Sequence, residues 1–232
     1  MQTYDYVIVG AGAAGCLLAN RLTEDPSVSV CLLEAGVPDR NPYIHIPAGF
    51  IKVGHDPAYT WDFLTEPGPG IDGRQVITRM GRTLGGSSSI NGFNYTRGAA
   101  SDYDHWAELG NAGWSYAEVL PYFKRMESWH SGGHGGDADW RGKDGPMGTE
   151  FARTQDPIFD AWRDAARQAG IPVTDDYNGQ HGEGFGRSQY TIKNGRRSSS
   201  SNAFLRPAEG RPNLTVETNA LTTRITMEGK KA

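Results

Sequence analysis

The stretch Tyr4-Asp5-Tyr6-Val7-Ile8-Val9-Gly10-Ala11-Gly12-Ala13-Ala14-Gly15, read with the later Val28-Ser29-Val30-Cys31-Leu32-Leu33-Glu34, decides the fold class. It spells a strand, a glycine turn, a helix and a second strand that ends in a carboxylate. The order carries the information, because a lone G-x-G-x-x-G arises easily in a chain with 31 glycines. In the dinucleotide-binding arrangement Gly10 allows the tight turn out of the strand. Gly12 lets the backbone approach a pyrophosphate, and Gly15 lets the helix pack closely on the strand. The pyrophosphate sits on the free N–H groups of the helix start, where the macrodipole is positive. Glu34 is placed to accept hydrogen bonds from both hydroxyls of an adenosine ribose. Its charge repels a 2′-phosphate, which disfavours NADP and leaves NAD or FAD.

Composition sets the outer bounds. A chain of 232 residues can bury one large core or two small ones. With 23 basic and 27 acidic side chains the formal charge is −4, and no basic block offers itself to nucleic acid or anionic lipid. No apolar run approaches the ~20 residues of a membrane span, and the first strand begins too early for a signal peptide. The expectation is a cytoplasmic protein, with peripheral attachment to the inner membrane left open. Cys16 in the helix and Cys31 in the second strand read as small core residues. The sequons Asn94-Tyr95-Thr96 and Asn213-Leu214-Thr215 are read as chance matches.

After Glu34 the periodicity breaks into an irregular stretch over about 36–80, with six prolines and the aromatics Tyr43, Phe50, Tyr59, Trp61 and Phe63 as expected anchors. A loop of that length in a compact domain is usually functional, so an ordered, covering excursion is expected. Helical text follows from Ser101 to Glu127, with a capping-box pattern in Ser115-Tyr116-Ala117-Glu118. His105 and Trp106 are expected in the core. A polar glycine-rich loop covers 130–148, and a helix runs from about Pro157 to Ala169 before Gly170. Leu214–Thr218 and Leu221–Met227 read as strands. The second lacks a following partner, which suggests the N-terminal part of a longer polypeptide or a chain that pairs with another.

Gly81-Arg82-Thr83-Leu84-Gly85-Gly86-Ser87-Ser88-Ser89-Ile90-Asn91-Gly92-Phe93-Asn94 is the second dense motif. Consecutive glycines and hydroxyls entering a tight turn build a nest of N–H groups suited to an anion or an electron-rich ring. With this motif the chain resembles the glucose-methanol-choline (GMC) oxidoreductases, nearest to their bacterial choline and alcohol dehydrogenases. The resemblance runs through Glu34-Ala35-Gly36, Asn41–Pro47, Trp61, Gly81–Asp104, Gly113-Trp114-Ser115, Leu120–Phe123, Asn178-Gly179, Gly195–Arg197 and Arg211–Leu214.

The resemblance implies an α/β, Rossmann-like FAD-binding domain with part of an α+β substrate-binding domain. Expected boundaries are 1–152 for the first FAD segment, 153–190 for the substrate segment and 191–232 for the second FAD segment. It implies FAD as cofactor, held by Gly10, Gly12, Ala13, Ala14, Gly15, Glu34 and Ala35 at the ADP half. Gly81 and Arg82 join the cofactor-binding set, and Gly85, Gly86, Ser87 and Ser88 lie beside the flavin and its phosphates. Asn91, Gly92, Phe93 and Asn94 lie along the ring system, and Leu221 or Thr222 meets the adenine. Members that attach FAD covalently use a histidine where this chain has Ile90, so noncovalent binding is expected. Trp61 is a candidate for shaping the substrate pocket.

The implied reaction is oxidation of a small-molecule alcohol to an aldehyde by hydride transfer to flavin N5, with a quinone or oxygen as electron acceptor. The family's proton-accepting histidine pair falls beyond residue 232, and no catalytic base is assigned to any of the six histidines here. Two rivals stand beside this: a flavin-binding fragment without turnover of its own, and an NAD-dependent dehydrogenase. His130 and His134 with Asp137 and Asp139 resemble a metal set, but the glycines between them leave the ligands unfixed, so no metal is expected.

Overall fold

The computed structural model describes residues 2–130 and 136–229, which fall into two compact units. One comprises the chain up to Gly92 and from Gly195 onward; the other is Phe93–Asn194.

The first unit opens with β1 (Tyr6–Val9), α1 (Ala13–Leu22) and β2 (Val30–Leu33). β1 pairs in parallel with β2, Tyr6 opposite Val30 and Val9 opposite Leu33. Leu214–Glu217 pairs in parallel on the other side of β2, with Leu214 opposite Val30. The central position explains why Val30, Cys31 and Leu32 are all buried, since a parallel strand flanked on both sides has no solvent face. Asn213 fixes this arrangement: its amide donates to the carbonyls of Thr23, Asp25 and Val28, tying the α1–β2 turn to the third strand. On α1 the small residues Cys16 and Ala19 are fully buried, and the Asn20 amide donates to the Phe204 carbonyl at 2.7 Å in the wide helical turn Ser201–Leu205.

The excursion after β2 is more regular than its composition suggests. It holds the short helices α2 (Pro42–His45) and α3 (Phe50–Val53), then an antiparallel pair β3 (Thr60–Leu64) and β4 (Ile77–Gly81) in which Trp61 faces Met80. Asn41 caps α2 by accepting from the Tyr43 N–H at 3.0 Å. Of the expected aromatic anchors, Tyr43, Phe50 and Phe63 are substantially exposed, while Tyr59 packs inward. The packing is aliphatic, from Ile44, Val53 and Ile90, with Tyr59 against them. The strand expected over Leu221–Met227 does not form. Leu221, Ile225 and Met227 are exposed, and among the described residues no strand pairs with this segment.

The second unit contains α4 (Ala100–Glu108), α5 (Tyr116–Met126), β5 (Glu127–His130), β6 (Met147–Phe151), α6 (Pro157–Gln168) and β7 (Gln189–Tyr190). The capping box at Ser115 and Glu118 is formed. β6 lies between β5, parallel, and β7, antiparallel. One buried polar network runs through this unit, from Arg97 to Gln189. Glu127, fully buried, accepts from Arg97 at 2.9 Å, Arg141 at 2.5 Å and Thr149 at 2.8 Å. Arg141 reaches on to Asp176 at 2.9 Å and Gln189 at 2.7 Å. His105 and Trp106 are exposed and not core. α4 instead packs through Tyr103, whose ring meets Tyr116 and Phe123.

Of the imagined metal set, His134 lies outside the described residues. Among the described residues no group of three His, Cys, Asp or Glu is arranged to hold a metal. Lys230–Ala232 also lie outside them. No helix among the described residues is long and apolar enough to cross a membrane.

Candidate functional site

The first unit carries a cavity of about 410 Å³ at the end of β1 and β2, lined by the glycine turn, Leu33–Ala35, Trp61, Met80–Gly81, Gly86–Ser88 and Ala220–Thr222. Its floor follows from the opening motif. Gly10 has φ of +91°, open to glycine and costly for other residues. Methyl groups added at Gly10 or Gly12 would meet no protein atom within 4 Å, so at both positions the bare backbone faces space. A methyl on Gly15 would instead overlap the Gly10 carbonyl, which makes Gly15 a packing glycine. Gly12 caps α1 without a side-chain hydrogen bond, and no acidic residue stands in the first turn. The positive end of the helix therefore points to the cavity with no side-chain cap and no acidic residue of its own first turn.

Glu34 directly follows β2, lines the cavity and is buried. Its Oε2 accepts from the Ala11 N–H and its Oε1 from the Gly36 N–H, both at 2.8 Å. The carboxylate thus stitches the glycine turn to the segment after β2, and each oxygen keeps a further lone pair for a ligand hydroxyl. The Glu34 carbonyl accepts from Ala220 at 2.9 Å and the Gly36 carbonyl from Asn219 at 2.8 Å, which draws Ala220, Leu221 and Thr222 to the cavity wall.

The second motif forms the opposite wall. Gly85, at φ +87°, donates to the Ala11 carbonyl at 2.7 Å. Gly86 lies so close to the first turn that a methyl there would come within 2.8 Å of the Gly12 Cα. Ser87 Oγ accepts from the Gly81 N–H at 3.0 Å. Trp61 stands at the same cavity with the Arg82 guanidinium 5.0 Å from its ring centre.

Of the expected site residues, the cavity lining brings together Gly10, Gly12, Ala13, Glu34, Ala35, Trp61, Gly81, Gly86, Ser87, Leu221 and Thr222. Ala14, Gly15, Arg82, Gly85, Asn91, Gly92, Phe93 and Asn94 are not part of it. Asn91 is engaged by Arg197, which donates to its Oδ1 at 2.8 Å and its carbonyl at 2.9 Å. Arg197 also donates to the carbonyls of Ile44 and Ser88, and burial pushes its pKa down to about 10. Phe93 and Asn94 belong to the second unit, Phe93 buried with φ of +67°. Val9, Leu33, Met80 and Ala220 line the cavity without having been singled out. Strand-end position is the signal for the first two, and the Trp61–Met80 register for the third.

A second cavity, of about 530 Å³, lies within Phe93–Asn194 and is lined by Thr96–Ser101, Tyr116, Trp140 and Tyr177–Gln180 among others. Its arginine, Arg97, is committed to Glu127 and to the Trp140 and Asn178 carbonyls. Built recognition chemistry is concentrated in the first cavity.

The GMC oxidoreductase family model matches residues 4–232. The chain belongs to the GMC oxidoreductase family. It is 49% identical over 228 residues to an oxygen-dependent choline dehydrogenase of Brucella anthropi, covering 98% of this chain and 41% of that one. The GMC chain here therefore spans about two fifths of the length of the curated relatives it matches. Among solved structures it is similar to pyridoxine 4-oxidase from Mesorbium loti, with a TM-score of 0.89 and 35% identity, covering 98% of this chain and 44% of that one. An FAD-dependent oxidoreductase from Chaetomium thermophilum matches with a TM-score of 0.82 and 32% identity, covering 92% of this chain and 38% of that one.

Proposed function

We propose that the cavity of the first unit holds the ADP half of FAD, and that the parent protein oxidises a small-molecule alcohol to an aldehyde. The observation that carries this is the convergence of an uncapped helix start, bare backbone at Gly10 and Gly12, and a buried carboxylate at a strand end on one cavity. An anionic pyrophosphate fits the helix start, and a ribose diol fits the remaining lone pairs of Glu34. The likeness to the Chaetomium FAD-dependent oxidoreductase supports flavin over nicotinamide. When bound, FAD supplies the ring that accepts a hydride from the alcohol carbon.

The residues of this chain bind and orient. Gly86–Ser88 line one wall, Leu221 and Thr222 another, and Trp61 stands at the same cavity. Among the described residues the lining holds no histidine, and its one carboxylate already accepts two amide protons. The proton of the alcohol therefore needs a base from outside this cavity. This favours a second reading for the chain alone: a flavin-binding piece whose turnover depends on further residues, consistent with its covering 41% of the Brucella relative. Noncovalent attachment is part of the proposal. Ile90 is packed with Ile44 and Val53 and offers no nucleophile. The acceptor, oxygen or a quinone, and any peripheral membrane attachment belong to the whole protein.

The test is the visible absorption of the purified chain before and after acid precipitation. A flavin band that moves to the supernatant supports the proposal. A band retained in the pellet overturns the noncovalent part. A colourless chain that takes up added NAD but not FAD overturns the assignment.

A further inference from the structure

The serine run Ser198–Ser201 stands apart from both glycine motifs, yet it is almost entirely buried, with Ser199 and Ser201 at 0% and Ser200 at 1% exposure. Four consecutive buried hydroxyls need partners, and those of Ser200 lie in the cavity wall. Ser88, which lines the cavity, has its Oγ 2.6 Å from the Gly85 carbonyl and 2.6 Å from Ser200 Oγ. The Ser200 N–H donates to Ser88 Oγ at 3.0 Å, and Ser200 Oγ lies 3.2 Å from the same Gly85 carbonyl.

Each hydroxyl has one proton to give. One of the two serines donates to the Gly85 carbonyl, and the other donates to that serine's oxygen. In both arrangements the pair closes on Gly85. The Gly85–Gly86 peptide has positive φ at both residues, 87° and 53°, so the loop gains little rigidity from its own backbone preference. Gly86 is nevertheless held against Gly12, where the pyrophosphate would sit.

We infer that Ser200 is a positioning residue for the nucleotide cavity: it fixes the Gly85–Ser88 wall through Ser88 and the Gly85 carbonyl without lining the cavity itself. It thereby makes the segment after Gly195 part of the cofactor site. The inference rests on the reading of this cavity as the FAD site. Ser201 supplies an internal comparison, since its Oγ is buried and has no hydrogen-bond partner among the described residues.

The experiment is titration of FAD, and separately of ADP, into the cofactor-free full chain and its Ser200→Ala, Ser200→Thr and Ser201→Ala variants. Binding is followed by fluorescence for FAD and by calorimetry for ADP, and each cofactor-free variant is also melted. Ser200→Ala weakens both ligands about tenfold, the effect of one lost buried hydrogen bond. Ser200→Thr, which restores the hydroxyl, recovers most of that loss, and Ser201→Ala binds as the parent does. Equal affinity of Ser200→Ala and the parent overturns the inference. So does a loss in Ser200→Ala that Ser200→Thr fails to recover while melting with the parent. If Ser200→Ala does not fold, the inference stands or falls on Ser200→Thr keeping parental affinity. A parent chain that binds neither FAD nor ADP overturns the site reading itself, which is a separate outcome.

Discussion

Gly12 and Gly15 differ by three positions and by what a methyl group would do at each. At Gly12 it enters open space, and at Gly15 it runs into the Gly10 carbonyl. Gly12→Ala is therefore expected to melt with the parent but to bind FAD at least about tenfold more weakly, because the methyl takes the place of the approaching phosphate. Gly15→Ala should lower stability by about 1–3 kcal/mol through overpacking, measured by denaturant unfolding without cofactor. Cys16, beneath the same turn, is fully buried and donates to the Ala11 carbonyl at 3.2 Å. Burial pushes its thiol from 9.0 up to about 12. Since ionisation is penalised in the folded state, its contribution to stability is complete below about pH 9 and is lost as pH rises toward 12. Replacing it, as Cys16→Ala, should flatten the alkaline fall in unfolding free energy relative to the parent. Identical alkaline slopes in the two proteins would contradict this.

At the scale of elements, the polar core of the second unit is its most exacting feature. Glu127, at the start of β5, receives two arginines, a threonine and the Gly142 N–H, with no water-facing surface. Glu127→Gln leaves Arg97 and Arg141 buried with reduced compensation and is expected to cost about 3 kcal/mol or more, read from the denaturant midpoint. The sequence showed the elements themselves well where the local signal was strong. β1, α1, β2, the Ser115 cap and α6 follow from apolar runs, glycines and capping residues that act over a few positions. The Glu127 network was not legible, because nothing local announces that residues 127, 141, 176 and 189 will meet. The β3–β4 pair was hidden by prolines that sit between the strands, and the Leu221–Met227 strand was over-read because propensity cannot supply a neighbour.

Across the whole molecule the same division holds for the site. Gly10, Gly12 and Ala13 of the opening motif and the pair Glu34 and Ala35 after β2 line the cavity, whereas Asn91–Asn94 lie outside its lining. Ser200 shows the reverse case, a residue with no motif around it that reaches the cavity wall from more than a hundred positions away. The central claim is that the first unit's cavity receives the ADP half of FAD. Hydrogen exchange of the full chain with and without FAD tests it most directly. The account predicts slowed exchange confined to amides of residues 10–15, 34–37, 81–88 and 220–222. Protection concentrated instead at residues 96–101 and 177–186, around the second cavity, or no protection at saturating FAD, would contradict it.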